Sequence, residues 1–306
     1  MKPPLSVARR VLEALGDGRP VVALETTLVT HGLPHPQGLE TAAALEAEVR
    51  GAGAEPATIG VLDGAVRVGL APSEVERLAT AAGVSKLNLG NLAARVASGD
   101  AGSTTVAATL WAAHAAGIRV FATGGIGGVH RGAQETDDVS SDLTALARWP
   151  VAVVCAGAKA VLDLPRTMER LETLGVPVFG WGTDELPAFY RCRSGLPVDA
   201  RFDAMPQLAR AVRTHWELGL GTGIVIGNPI READEIPESI YAPALERALA
   251  EAAEQRLRGR AVTPFLLERL RELSQGRSLT ANIAMLRNNA CVAAELSRAL
   301  EDGAGS

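Results

Sequence analysis

Lysine is almost missing from this 306-residue chain: of its 30 basic residues only Lys2, Lys86 and Lys159 are lysines, and the rest are arginines. Arginine has taken nearly every position where a surface cation would serve. It cannot take a position that needs a neutral amine, because guanidinium stays protonated at any working pH whereas a desolvated ammonium can lose its proton. The two internal lysines are therefore the first candidates for chemistry. Aromatic residues are scarce too, at 4 % and scattered, which leaves little on which a single strand of bases would stack. No cluster of Lys and Arg appears, and the net charge of -5 has the wrong sign for gripping a polyphosphate backbone. A nucleic acid polymer is excluded on these grounds, but a lone nucleotide is not. No stretch approaches the ~20 apolar residues of a membrane span. Met1 to Leu15 also lacks the apolar segment of a signal peptide, so the chain is expected to be cytoplasmic, without a membrane partner. Three cysteines, Cys155, Cys192 and Cys291, are an odd number at wide spacing. They suit neither a disulfide framework nor a zinc site and read as small buried apolar residues.

What is present is 47 % hydrophobic sequence in alternating short β-branched runs and amphipathic stretches. Val21–Leu24, Thr58–Leu62, Val120–Thr123, Val151–Cys155, Val176–Gly180 and Gly223–Ile226 read as buried strands. Helical spacing joins Val7, Val11 and Leu15 before Gly16, and Val75, Leu78 and Ala79 after a capping box from Ser73 to Glu76. From Glu235 the strand signals stop, Thr263-Pro264 suits an N-cap followed by the first helical residue, and a last helix is expected from about Leu279 to Leu300. No Pro/Ser-rich linker intervenes. The expectation is one domain over residues 1–306, an α/β core over 1–234 with a helical part over 235–302 packed upon it.

Lys159 closes the run Val151-Ala-Val-Val-Cys-Ala-Gly-Ala-Lys159, past the carboxyl end of a strand, where ligands bind in open α/β sheets. Among Ala and Gly, it suits a Schiff-base nucleophile; the plain alternative is a surface lysine whose stem lies along apolar neighbours. Glu25 follows Val21-Val-Ala-Leu24, where partial burial raises a carboxyl for acid work. His31 and His35 lie in a Gly/Pro-marked irregular loop, and an i, i+4 pair signals zinc only on a helix. Thr123-Gly-Gly-Ile-Gly-Gly-Val-His130-Arg131-Gly132 suits close approach of backbone N–H groups to an anion, with His130 and Arg131 as further donors. Its glycines miss the dinucleotide spacing. Asp137-Asp138-Val-Ser140-Ser141-Asp142 offers hard oxygen donors of the kind Mg2+ and Mn2+ accept, and equally reads as the capped start of a helix near Leu143. Lys86 and Ser103-Thr104-Thr105 are placed to touch hydroxyls or phosphate. Asn282 and Asn289, seven apart on the last helix, are poor mid-helix residues unless their amides are used.

Together these segments resemble the pseudouridine-5'-phosphate glycosidases, also called pseudouridylate synthases or indigoidine-A-like proteins. The likeness runs over nearly the whole chain. It is carried by Val22-Ala-Leu-Glu25-Thr-Thr with Thr30-His31-Gly32, by Pro56-Ala-Thr-Ile, Thr104-Thr-Val-Ala and the run Phe121 to Gly132, and by Val153 to Lys159, Gly227-Asn-Pro-Ile and Thr263-Pro-Phe-Leu-Leu. The resemblance implies a three-layer α/β/α fold on a mixed, largely parallel sheet, and a homotrimer. It implies a lyase acting as a glycosidase that reversibly cleaves the C–C bond of pseudouridine 5'-phosphate to uracil and ribose 5-phosphate. Lys159 would be the nucleophile, Glu25 the proton donor and Asp138 the ligand of one Mn2+ per subunit, other divalent metals being possible. Lys86, Val106, Ser140, Ser141 and Asp142 would bind substrate, and Thr123, His130 and Asn282 would line the pocket. The residues alone also admit a Schiff-base sugar-phosphate aldolase or isomerase, or a non-catalytic nucleotide-phosphate sensor.

Overall fold

The computed structural model describes residues 4–255, 257 and 262–303. Eleven strands form one sheet: β1 (Leu5–Val7), β2 (Val21–Leu24), β3 (Glu55–Leu62), β4 (Ala65–Val68), β5 (Ser85–Leu87), β6 (Gly102–Thr104), β7 (Val120–Ala122), β8 (Ala152–Cys155), β9 (Val178–Trp181), β10 (Ala200–Phe202) and β11 (Ile224–Gly227). The order is β1-β4-β3-β2-β7-β8-β11-β9-β10, with β6 on β3 and β5 on β6. Only the β3–β4 and β3–β6 pairings are antiparallel, so the sheet is mixed and largely parallel. Its central strands read as unbroken apolar runs because both faces are covered. Side-chain alternation divides them between two layers: Val21, Ala23, Val153 and Cys155 join one hydrophobic cluster, and Val22, Leu24, Ala152 and Val154 the other. Helices lie on both sides, as the resemblance implied.

The six expected strands form β2, β3, β7, β8, β9 and β11, with ends shifted by up to three residues. Five short strands had no readable signal. Val7, expected in the first helix, lies in β1, and that helix covers Arg9–Gly16. The expected capping box also moves: the helix is Pro72–Thr80, with Pro72 at its first position and the Glu74 carboxylate accepting from the Ala71 N–H at 2.8 Å. After β11 every described element is helical, the long ones being Glu238–Glu254, Val262–Leu273 and Arg277–Asp302. The second of these starts one residue ahead of Thr263-Pro264, so Thr263 is inside the helix and not its cap. Ala244, Ala248, Leu266, Leu270, Ala281 and Met285 share a cluster with Val153 and Phe121. The helical part thus completes a core that the sheet begins. No helix among the described residues is long and apolar enough to cross a membrane.

Candidate active site

Beyond the carboxyl ends of β2, β7 and β8 lies a cavity of about 360 Å³, and Glu25, Lys86, Val106, Thr123, His130, Asp138, Ser140, Ser141, Asp142, Lys159 and Asn282 all line it. Seven separate stretches of chain supply them. Parallel strands deliver their following loops to one edge of the sheet, which is why residues so far apart converge.

Glu25 follows β2 directly and is buried, with 8 % of its surface exposed. Burial pushes its carboxyl above the usual range, opposed by the positive charge of Lys159 and by the Thr123 hydroxyl. That hydroxyl donates to Glu25 Oε1 at 2.5 Å. Thr123 is itself held from behind: its carbonyl accepts from Asn289 Nδ2 at 2.8 Å, and Asn289 Oδ1 accepts from Asn228 Nδ2 at 2.8 Å. Both asparagines are buried. The two asparagines of the last helix therefore divide the work, Asn282 facing the cavity and Asn289 fixing the strand end behind Glu25.

Lys159 sits in an extended turn after β8, at no helix start, with its N–H donating to the Ile126 carbonyl at 3.0 Å. Lys86 lies on β5; burial first, then the charge of Lys159, pushes its ammonium below the ordinary lysine value. An Asn88–Asn91 turn braces it, with Asn91 Nδ2 donating to the Lys86 carbonyl at 3.0 Å. Beside it Thr105 stands just ahead of the helix Val106–Ala116, its side chain making no capping bond. Its Oγ1 is buried in the wall without a hydrogen-bond partner among the described residues, although Ser103 and Thr104 are engaged internally. A buried hydroxyl left this way fits a ligand oxygen.

Much of the glycine run is held by hydrogen bonds within the protein. The N–H groups of Ile126, Gly127, Val129 and His130 already donate to Gly157 O, Asp142 Oδ2, Thr167 Oγ1 and Asp138 O. Its glycines are there for close approach: a Cβ at Gly125 would stand 2.6 Å from the Phe189 ring, and one at Gly127 would strike Ser140 and Asp142. Arg131 is exposed and outside the cavity lining. Asp142 is buried, its Oδ1 accepting from Ala107 N at 2.9 Å and its Oδ2 from Gly127 N at 2.8 Å. Ser140 caps the helix Ser141–Leu146, accepting from Asp142 N at 3.2 Å, so the stretch is the capped helix start its sequence allowed.

Asp138 lines the cavity, its side chain 29 % exposed and 4.0 Å from His130 Nδ1, while Asp137 points its backbone through a left-handed turn and is exposed. Burial holds the His130 imidazole below its ordinary value against the pull of Asp138. No group of three or more His, Cys, Asp or Glu among the described residues could hold a metal. One carboxylate with cavity hydroxyls nearby fits a hard cation that keeps most of its shell as water, the habit of Mg2+ and Mn2+, and not a closed protein cage. His31 and His35 form no metal site. The stretch expected to be irregular closes a π-helical turn, Leu28–Gly32, and His31 Nδ1 lies 2.6 Å from Thr30 Oγ1. Phe189, which no sequence signal marked, lines the cavity as well.

The family described as indigoidine synthase A like protein matches residues 10–299. A pseudouridine-5'-phosphate glycosidase of Methylobacterium nodulans is 55 % identical over 99 % of this chain and 90 % of its own length. One from Jannaschia sp. is 54 % identical over 97 % and 98 %. Among solved structures, the prealnumycin C-glycosynthase AlnA in complex with ribulose 5-phosphate superposes with a TM-score of 0.92 at 40 % identity, covering 100 % of this chain and 99 % of that one. An indigoidine synthase A-like protein of Thermotoga maritima gives 0.88 at 34 %, covering 97 % and 96 %. With this fold and a cavity that gathers a buried acid and two lysines, the chain is an enzyme of the C-glycoside-cleaving class. It belongs to the indigoidine synthase A like family, among the pseudouridine-5'-phosphate glycosidases.

Proposed function

We propose that this enzyme cleaves pseudouridine 5'-phosphate to uracil and ribose 5-phosphate through an imine on Lys159. The observation that carries the reading is the pairing, on one cavity wall, of a carboxyl raised by burial with a lysine whose charge reaches it. A C-nucleoside bonds its anomeric carbon to a carbon of the base, which leaves far less readily than oxygen, so the two-carboxylate route of ordinary glycosidases does not suffice. Opening the sugar supplies an electron sink. Glu25 gives its proton to the ribose ring oxygen as the Lys159 nitrogen attacks the anomeric carbon, and the ring C–O bond breaks. The proton released from that nitrogen returns to the Glu25 carboxylate, which is then able to protonate C5 of uracil. The lone pair on nitrogen drives out the base, whose C5 keeps the electrons of the broken C–C bond, and leaves an imine. Water hydrolyses this to ribose 5-phosphate and free Lys159.

Lys86, the unpartnered Thr105 hydroxyl and the first N–H of the helix Val106–Ala116 suit the phosphate, as helix starts do for anions. Ser140, Ser141, His130 and Asn282 are left for sugar and base. A Mn2+ held by Asp138 would supply a fixed positive charge and ordered waters; activity is expected to fall on chelation and to return with Mn2+. The same reading takes the protein to be a cytoplasmic homotrimer, its assembly open to sedimentation measurements.

The test is incubation with pseudouridine 5'-phosphate and Mn2+, then borohydride and mass spectrometry, beside Lys159→Ala. Expected is a reduced ribose 5-phosphate adduct on the wild type alone, uracil release, and a loss of about 10^4 or more in kcat/KM for the variant. Uracil without a trappable adduct would sink the imine. A Schiff-base aldolase or isomerase shares Lys159, and the ribulose 5-phosphate in AlnA favours it as a second reading; failure to release uracil would bring it forward.

A further inference from the structure

In a chain with so few aromatics, Phe189 is the only Phe, Tyr or Trp among the described residues lining the cavity. It is held there in an unusual way. Its backbone is left-handed, with φ 64°, a region where a bulky side chain is an outlier. Such strain persists only where the surroundings over-determine it, and it gathers at functional sites. The surroundings here do so from three sides. The Phe189 N–H donates to the Ala156 carbonyl at 2.9 Å, tying the residue to the segment that leads to Lys159. Tyr190 packs edge-on with ring centroids 4.7 Å apart. Gly125 leaves the space the ring fills, since a Cβ there would stand 2.6 Å from Cδ2 and Cε2.

Resting on the glycosidase reading, we propose that Phe189 is the surface against which the pyrimidine of the substrate packs, and that Gly125 exists to seat its ring. Uracil is flat and uncharged, so a ring face or edge recognises it with little dependence on charge, while a sugar phosphate offers no such surface. Phe189 then selects for the base, and Lys86 with Thr105 holds the other end. The glycine run thereby gains a purpose unrelated to anions: it makes room for an aromatic wall next to the reacting lysine.

Calorimetry on Lys159→Ala protein, which cannot turn over, separates the two ends of the ligand by titrating pseudouridine 5'-phosphate and ribose 5-phosphate in turn. Adding Phe189→Leu is expected to weaken the first by roughly tenfold or more, as loss of base stacking does, and the second by less than about twofold. Gly125→Ala should reproduce that selective loss, and Phe189→Tyr should recover most of it. Phe189→Asn, which tolerates a left-handed backbone, replaces the leucine variant should that not fold. Equal weakening of both ligands, or a preference for pseudouridine 5'-phosphate that survives Phe189→Leu, overturns the inference alone. A parent protein with no preference for the base-bearing ligand overturns the glycosidase reading and the inference together.

Discussion

Two buried carboxylates face the same cavity from different regions, and their surroundings differ in kind. Glu25, at the end of β2, receives one hydroxyl hydrogen bond and no backbone amide, and burial raises its proton affinity. Asp142, at the start of a short helix, receives two backbone N–H groups from separate elements. An acid that must give and regain a proton needs few donors, because each donor favours the charged form. A carboxylate that ties the helix Val106–Ala116 to the glycine run needs all it can have. The contrast fits the proton-donor role proposed for the first, and gives the second, expected from the resemblance to bind substrate, a place in holding the cavity wall.

Substituting each in turn probes that contrast. Glu25→Gln removes the proton donor and is expected to lower kcat by about 10^2–10^4. In the wild type, activity should decline as pH rises through the raised Glu25 pKa. The same group contributes stability that is present below the ordinary glutamate pKa and is lost as pH rises through the raised value, because the folded form holds the proton longer. Melting temperature followed against pH should show that loss in the wild type and not in Glu25→Gln; an identical dependence in both would break the distinction. Asp142→Asn turns an acceptor toward two N–H groups into a mixed donor and acceptor. It is expected to cost about 3 kcal/mol in urea unfolding, since bonds to charged groups are the stronger ones, with activity falling because the cavity wall loosens. An Asp142→Asn protein of full stability but no turnover would reverse the assignment. Asn289→Leu acts on Glu25 only through Thr123. Its two neutral hydrogen bonds are each worth about 1 kcal/mol, and kcat is expected to drop less than about tenfold with KM unchanged. A larger effect than Asp142→Asn would show that the support behind Thr123 matters more than the amide-bonded carboxylate.

The central strands were legible because burial on both faces leaves an unbroken apolar run, as in Val21–Leu24. Strands such as β5 and β10, three residues long and paired near the edges, carry no period to read. Their placement came only from register with neighbours that were themselves unknown. Lysine scarcity pointed to Lys159 and Lys86 without any structure, because the choice of arginine elsewhere made the exceptions visible. The glycine run showed that some backbone approach was close. It did not show to what, since Phe189, Ser140 and Thr167 come from other stretches. Phe189 itself was invisible, for a positive φ at a non-glycine residue leaves no mark in composition or spacing.

The last helix, Arg277–Asp302, brings Asn282 to a cavity whose acid lies at residue 25. Translation reaches that helix after every other described element of the fold. A nascent chain therefore carries Glu25 and Lys159 through the making of every earlier described element without the helix that closes their cavity. Catalytic competence should arrive only once that helix has been made, and chains cut short within Arg277–Asp302 should be inert and not half-active.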